Sequence, residues 1–224
     1  MKEKTKAVRA AGARLGFSLV EMLVVLGIIA TLVGVSVAGY SHMTRKAQQA
    51  RGRELVSNVA TALNVMFQRR GKWPEALRTE ASSGAGRLNA RAAACLATGS
   101  NPLMSLTVNK QGAEGETHYV LAGNDRFGIV SPWAQDVIRR LGLNGGSTGT
   151  KIPSGGTIED HVLYYALDLT GEGFVNATVG GETLKIRANA AVWCAGRDGK
   201  LENSYNEGIR KDDIYSWTKG QVER

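Results

Sequence analysis

From Phe17 to Val37 the chain reads FSLVEMLVVLGIIATLVGVSV, apolar on every face of a helix and carrying one ionisable residue, Glu21. Beyond it the pattern narrows to a stripe. Leu55, Val59, Ala62 and Met66, with Val56, Ala60, Leu63 and Phe67 beside them, recur at i, i+3/i+4 and i+7, the spacing of an amphipathic helix that needs a cover. Gly71 and Pro74 stop that helix, and Arg69 and Arg70 suit the negative end of its dipole. The two patterns join into a single helix from Phe17 to Arg70, about 80 Å long if unbroken at about 1.5 Å per residue. Gly34, Gly39 and Gly52 each weaken it by about 1 kcal/mol, which marks them as expected places for bending.

The middle of the chain is less periodic. Residues 82–86 (SSGAG) form a loop, the alanine-rich Arg87–Ala97 a short helix stopped by Gly99-Ser100-Asn101-Pro102, and His118–Leu121 a strand. Ser131 and Pro132 open another helix as N-cap and N1, with Gly142 as its stop and a glycine- and serine-rich loop over 142–156. The last third alternates with period two. Val162–Leu169, Phe174–Val179 and Leu184–Ala195 read as three strands joined by short turns at 170–173 and 180–182. Short connections predict an antiparallel meander lying on the Leu55–Phe67 stripe, an α+β fold.

Composition changes this picture little, and charge changes it more. The 224 residues, 43% hydrophobic and 21% charged, suffice for one globular domain and an anchor. Of the net +8, residues 1–16 contribute +4, from Lys2, Lys4, Lys6, Arg9 and Arg14 against Glu3. A basic leader ahead of an apolar run is the positive-inside signal that holds an N-terminus in the cytoplasm. The other basic residues are scattered, which argues against nucleic acid as the partner. About 20 apolar residues cross a hydrocarbon core of about 30 Å. An acid at mid-span costs roughly 2.5–3.5 kcal/mol, less near the end where Glu21 lies, and a plain anchor has no need of one. Three readings of the run compete. One is a secretory signal peptide cut after Ser36-Val37-Ala38, against which stand its length and its acid. Another is an uncleaved anchor for a surface receptor or binding protein.

The third rests on the order of residues: basic leader, Gly16, then Phe17-Ser18-Leu19-Val20-Glu21, then a membrane-length apolar run. This string resembles the prepilins of the type IV pilin and type II secretion pseudopilin superfamily. The resemblance implies that prepilin peptidase cuts after Gly16 and that Phe17 becomes a methylated N-terminus. It also implies that Glu21 pairs with the terminal amine of a neighbouring subunit as a filament assembles. The physics agrees, because a buried charge is compensated only when the second subunit brings the opposite one. The expected organisation is a leader over 1–16, a transmembrane and filament-core half-helix over 17–40, and a pilin-like domain over 41–224 with a C-terminal loop at 195–217. Its partners would be further copies of itself, other pseudopilins and an inner-membrane assembly platform. Its place would be the inner membrane with the domain in the periplasm, or a filament on the cell surface.

Two strings could carry chemistry. Asp168-Leu169-Thr170-Gly171-Glu172-Gly173 is a fragment of an EF-hand, but position twelve is Val179 where a bidentate glutamate is needed, so a hairpin tip is expected. The second is Ala191–Lys200 (AVWCAGRDGK), followed by Lys211-Asp212-Asp213-Ile214-Tyr215-Ser216-Trp217. It is similar to the C-terminal loop of the major pseudopilin, in which aspartates and main-chain carbonyls surround calcium. The resemblance makes Asp198, Asp212 and Asp213 candidate calcium ligands, with Glu202 and Glu207 weaker ones. The segment between is longer and more polar than in that family, and Arg197 and Lys211 put positive charge beside the acids, so a solvated turn is the alternative. Cys95 and Cys194 have no metal-type spacing and are either a disulfide or two small buried thiols. His42, His118 and His161 lack spaced partners, a surface position is expected for His161, and no enzymatic motif occurs, so no enzyme is expected.

Overall fold

A computed structural model describes residues 18–97, 128–141, 149–201 and 212–223, apart from the side chains of 35–39, 90 and 139. Two compact units divide the chain, 1–45 and 46–224. The fold is α+β, a long helix with antiparallel sheets. Helix α1 spans Leu19–Arg70, with Glu21 in its first turn and Arg69 and Arg70 in its last, each on the side of the dipole that favours its charge. It ends as the sequence predicts: Gly71 takes a left-handed φ of 65° and its N–H reaches the carbonyl of Phe67 at 2.8 Å.

In the second unit α1 is followed by α2 (Glu75–Ala81), β1 (Gly86–Arg87), α3 (Ala90–Ala97) and α4 (Pro132–Leu141). Helix α2 has no counterpart among the elements the sequence predicts. Asn89 caps α3 by accepting the N–H of Ala92 on its side-chain oxygen at 2.9 Å. The expected strand at 118–121 and the stops at 99–102 and 142 lie outside the described residues.

Strands β2 (Tyr164–Leu167), β3 (Phe174–Val179), β4 (Glu182–Arg187), β5 (Ala190–Cys194), β6 (Ile214–Tyr215) and β7 (Val222–Glu223) form two sheets, ordered β1-β2-β5-β6 and β3-β4-β7. This corrects the expected meander. The single strand read over 184–195 is two, broken at Ala188-Asn189, where Asn189 turns its carbonyl to the N–H of Asp168. Its first half stays with β3 through a two-residue turn at Gly180-Gly181, both at positive φ, and its second half crosses to pair with β2.

The layers follow from this split. Leu55, Val59, Leu63 and Met66 of α1 form one core with Tyr165 and Leu167 of β2 and Val192 and Cys194 of β5. The residues between them on the strands, Ala166, Ala191 and Trp193, face Val175, Ala177, Leu184 and Ile186 of the second sheet. Strand β5 is buried at all five positions because helix and sheet cover its two faces. Gly52 has a packing reason to be glycine beside its low helix propensity. It is buried, and a Cβ there would strike Ile214, so its lack of a side chain lets β6 approach α1.

Candidate functional site

Gly16 and Phe17 lie outside the described residues. Glu21 is exposed in the first turn of α1, with Oε2 accepting the N–H of Ser18 at 3.3 Å. Around and after it Leu19, Val20, Met22, Leu23, Leu26, Ile29 and Leu32 are all exposed by half or more, on every face of the helix. A soluble surface rarely carries so continuous an apolar patch unless a partner or a membrane covers it. Among the described residues no helix is long and apolar enough to cross a membrane. The apolar run whose side chains are described ends at Gly34, short of the about 20 residues a span requires.

The second candidate region begins where β5 leaves the sheet. After Cys194 the chain turns through Gly196-Arg197-Asp198-Gly199 and meets the segment that returns at Asp212. The three candidate ligands lie on these two facing segments, and each accepts hydrogen bonds from the chain around it. Asp212 Oδ2 accepts the N–H of Arg197 at 2.7 Å and that of Asp198 at 3.4 Å. Asp213 accepts the N–H of Gly196 on Oδ1 at 2.9 Å and the Tyr215 hydroxyl on Oδ2 at 3.0 Å. Asp198 Oδ1 accepts the N–H of Lys200 at 2.9 Å. Among the described residues no group of three or more His, Cys, Asp or Glu side chains is placed to hold a metal ion. Glu202, Glu207 and Lys211 lie outside the described residues.

Behind the turn stands His161, which the structure buries completely where the sequence pointed to the surface. Its Nδ1 lies 2.9 Å from the Ser131 hydroxyl and its Nε2 3.1 Å from the carbonyl of Gly155. A carbonyl only accepts, so Nε2 carries the proton and Nδ1 receives the hydroxyl's. Burial lowers the imidazole pKa, opposed by the Gly155 carbonyl and by the carboxylates of Asp160, Asp198 and Asp212. Ser131 was legible as the N-cap of α4, but its hydroxyl serves His161 instead, a contact across 30 residues with no local signature. Ser131 and His161 are both fully buried, so the pair ties the start of α4 to the 149–161 segment.

Cys95 and Cys194, the candidate disulfide, are free thiols. Cys194 is fully buried and Cys95 partly so, and burial raises the pKa of both. The expected hairpin tip at 168–173 instead links β2 to β3 across the two sheets, and there Asp168 Oδ1 accepts the N–H groups of Thr170 and Gly171 at 3.1 and 2.7 Å, and Oδ2 that of Gly173 at 2.7 Å. Its carbonyl receives the indole N–H of Trp73 at 2.8 Å. The EF-hand fragment is thus a turn closed on its own acid and pinned to Trp73 in the segment that follows α1.

Comparison with known proteins adds one short stretch of similarity. Over 60 residues the chain is 32% identical to two sequences of the type IV major pilin protein PilE1 from Neisseria gonorrhoeae. The likeness is to a pilin. It covers 27% of this chain and 36% or 33% of each pilin, so the chain spans about a third of the length of the relatives it matches. No family model matches the chain, and no solved structure matches it.

Proposed function

We propose that this chain is a structural subunit of a type IV pilus-like filament, made as a prepilin and assembled through the apolar half of α1. The observation that carries the reading is the all-round exposure of Leu19 to Val33 behind a helix start bearing Glu21. A helix apolar on every face is stable only when buried, first in lipid and then among copies of itself. The complete run from Phe17 to Val37 has the length for a membrane, the leader before it has the charge to stay in the cytoplasm, and the partial likeness to pilins points the same way.

In this reading prepilin peptidase cleaves after Gly16, and the new amine of Phe17 on one subunit meets Glu21 of the next. The string from Ala191 to Trp217 favours the pseudopilus of type II secretion over an adhesive pilus, with an inner-membrane platform and other pseudopilins as partners. The domain then faces the periplasm or lies on the filament surface. The test is Glu21→Ala in a strain that assembles the wild-type chain. The variant should be processed and recovered in the membrane yet be absent from sheared filaments. Filaments of normal abundance built from Glu21→Ala would contradict the role assigned to the acid.

A further inference from the structure

We propose that Asn176 is a glycosylation site, its side-chain amide carrying an oligosaccharide whose first sugar lies against the ring of Phe174. Along β3 the residues Val175, Ala177 and Val179 are buried against the first sheet, and Phe174, Asn176 and Thr178 alternate with them on the other face. Side chains two residues apart on a strand stand about 7 Å from each other. The outer face of β3 therefore presents an aromatic ring, an amide and a hydroxyl in a row. Asn176-Ala177-Thr178 is the acceptor order for N-linked sugars, and no other asparagine in the chain has serine or threonine two residues on. Asn176 is exposed, and among the described residues its side-chain amide makes no hydrogen bond. Asparagine is depleted from strands, so the fold gives no reason of its own for one here. Strand β3 stands at the edge of the sheet ordered β3-β4-β7, where an enzyme reaches it from the open side.

The transfer needs no oxidant or reductant. The donor is an oligosaccharide carried on a polyprenyl pyrophosphate. Nδ2 of Asn176 bonds to the anomeric carbon as the bond from that carbon to the pyrophosphate oxygen breaks. The pyrophosphate leaves with the electron pair, and Nδ2 gives up one proton to a carboxylate of the transferring enzyme. The Thr178 hydroxyl, 3.4 Å from that of Thr183 and on the same face as Asn176, is the group such an enzyme reads beside the amide. Phe174 completes the platform. It is half-exposed, and the Lys185 ammonium lies 4.2 Å from its ring centroid, held also by Glu223 at 2.9 Å. The cation takes one face of the ring and leaves the other for the apolar C–H face of a sugar. A sugar there also shields an edge strand that could otherwise pair with a second chain.

Transfer of this kind takes place on the far side of the membrane, so the inference rests on the export step of the pilus reading. The experiment is mass spectrometry of the protein from its native membrane, on the tryptic peptide from Ile152 to Lys185. The wild-type peptide should weigh more than its amino acids, with fragmentation placing the addition on Asn176. Asn176→Gln and Thr178→Ala should lose the added mass, and Thr178→Ser should keep it. A peptide of bare mass, or a sugar on any residue other than Asn176, would overturn the inference, and the wild-type peptide alone decides this if a variant does not fold. In detergent the sugar-bearing full-length chain should melt about 2–4 °C above the same chain from a host without the transferase, a gain absent from Phe174→Ala. Equal melting of the two wild-type forms would overturn the part given to Phe174. A bare Asn176 on a chain beginning at Phe17 would sink this inference and leave the pilus reading standing, whereas a sugar on a chain beginning at Met1 would do the reverse.

Discussion

Asp168 shows how a single carboxylate can organise a turn. Burial alone would favour its neutral form, but the N–H groups of Gly173, Gly171 and Thr170 outweigh that and hold its pKa below the usual carboxylate value. A carboxyl whose pKa is lowered on folding stabilises the protein above its unfolded pKa of about 3.9 and loses that contribution as pH falls through the folded value. Asp168→Asn should therefore destabilise the protein by about 1–3 kcal/mol at pH 7. The difference from wild type should shrink as pH falls from about 4, where the unfolded chain takes up its proton, through the lower folded value. Denaturant unfolding at pH 7 and pH 3 measures both; a penalty unchanged between them would show that the amide bonds are not the cause. Asp212 and Asp213 likewise accept main-chain N–H groups, those of Arg197 and Gly196, in one turn at the other end of the sheet, so two turns of this chain are closed by acids in this way.

At the level of elements, α1 carries two kinds of apolar surface, and truncation separates them. Leu63 is fully buried against the first sheet, and Leu63→Ala should cost about 2–5 kcal/mol of folding stability through lost burial and the cavity left behind. Leu26 is 64% exposed, and Leu26→Ala should leave the melting temperature unchanged. Equal losses at the two positions would contradict the division of the helix. The stripe and the end of α1 could be read from the sequence because helical periodicity and a C-terminal glycine are local signals. The layering of the sheets could not. The run from Leu184 to Ala195 contains no proline and no two-glycine turn, and what divides it is a tertiary contact, the Asn189 carbonyl meeting Asp168. The unbroken apolar string Ala190–Cys194 did hint at burial on both faces, since a half-buried strand alternates. His161 left no trace at all: its burial depends on Ser131 and Gly155, which only the folded chain brings to it.

Taken whole, the chain pairs an α+β unit whose core is closed with an N-terminal unit whose apolar side chains are not. The exposed side chains need a cover, and half of the molecule's net charge sits in the 16 residues before them. A leader removed at Gly16 would take that charge away and leave an apolar helix beginning with the amine of Phe17, with Glu21 as the fifth residue of the mature chain. That processing step is the centre of the account. It is tested most directly by intact mass and N-terminal sequencing of the protein isolated from its native membrane. The account predicts a chain beginning at methylated Phe17, whereas a chain beginning at Met1 or at Gly39 would contradict it.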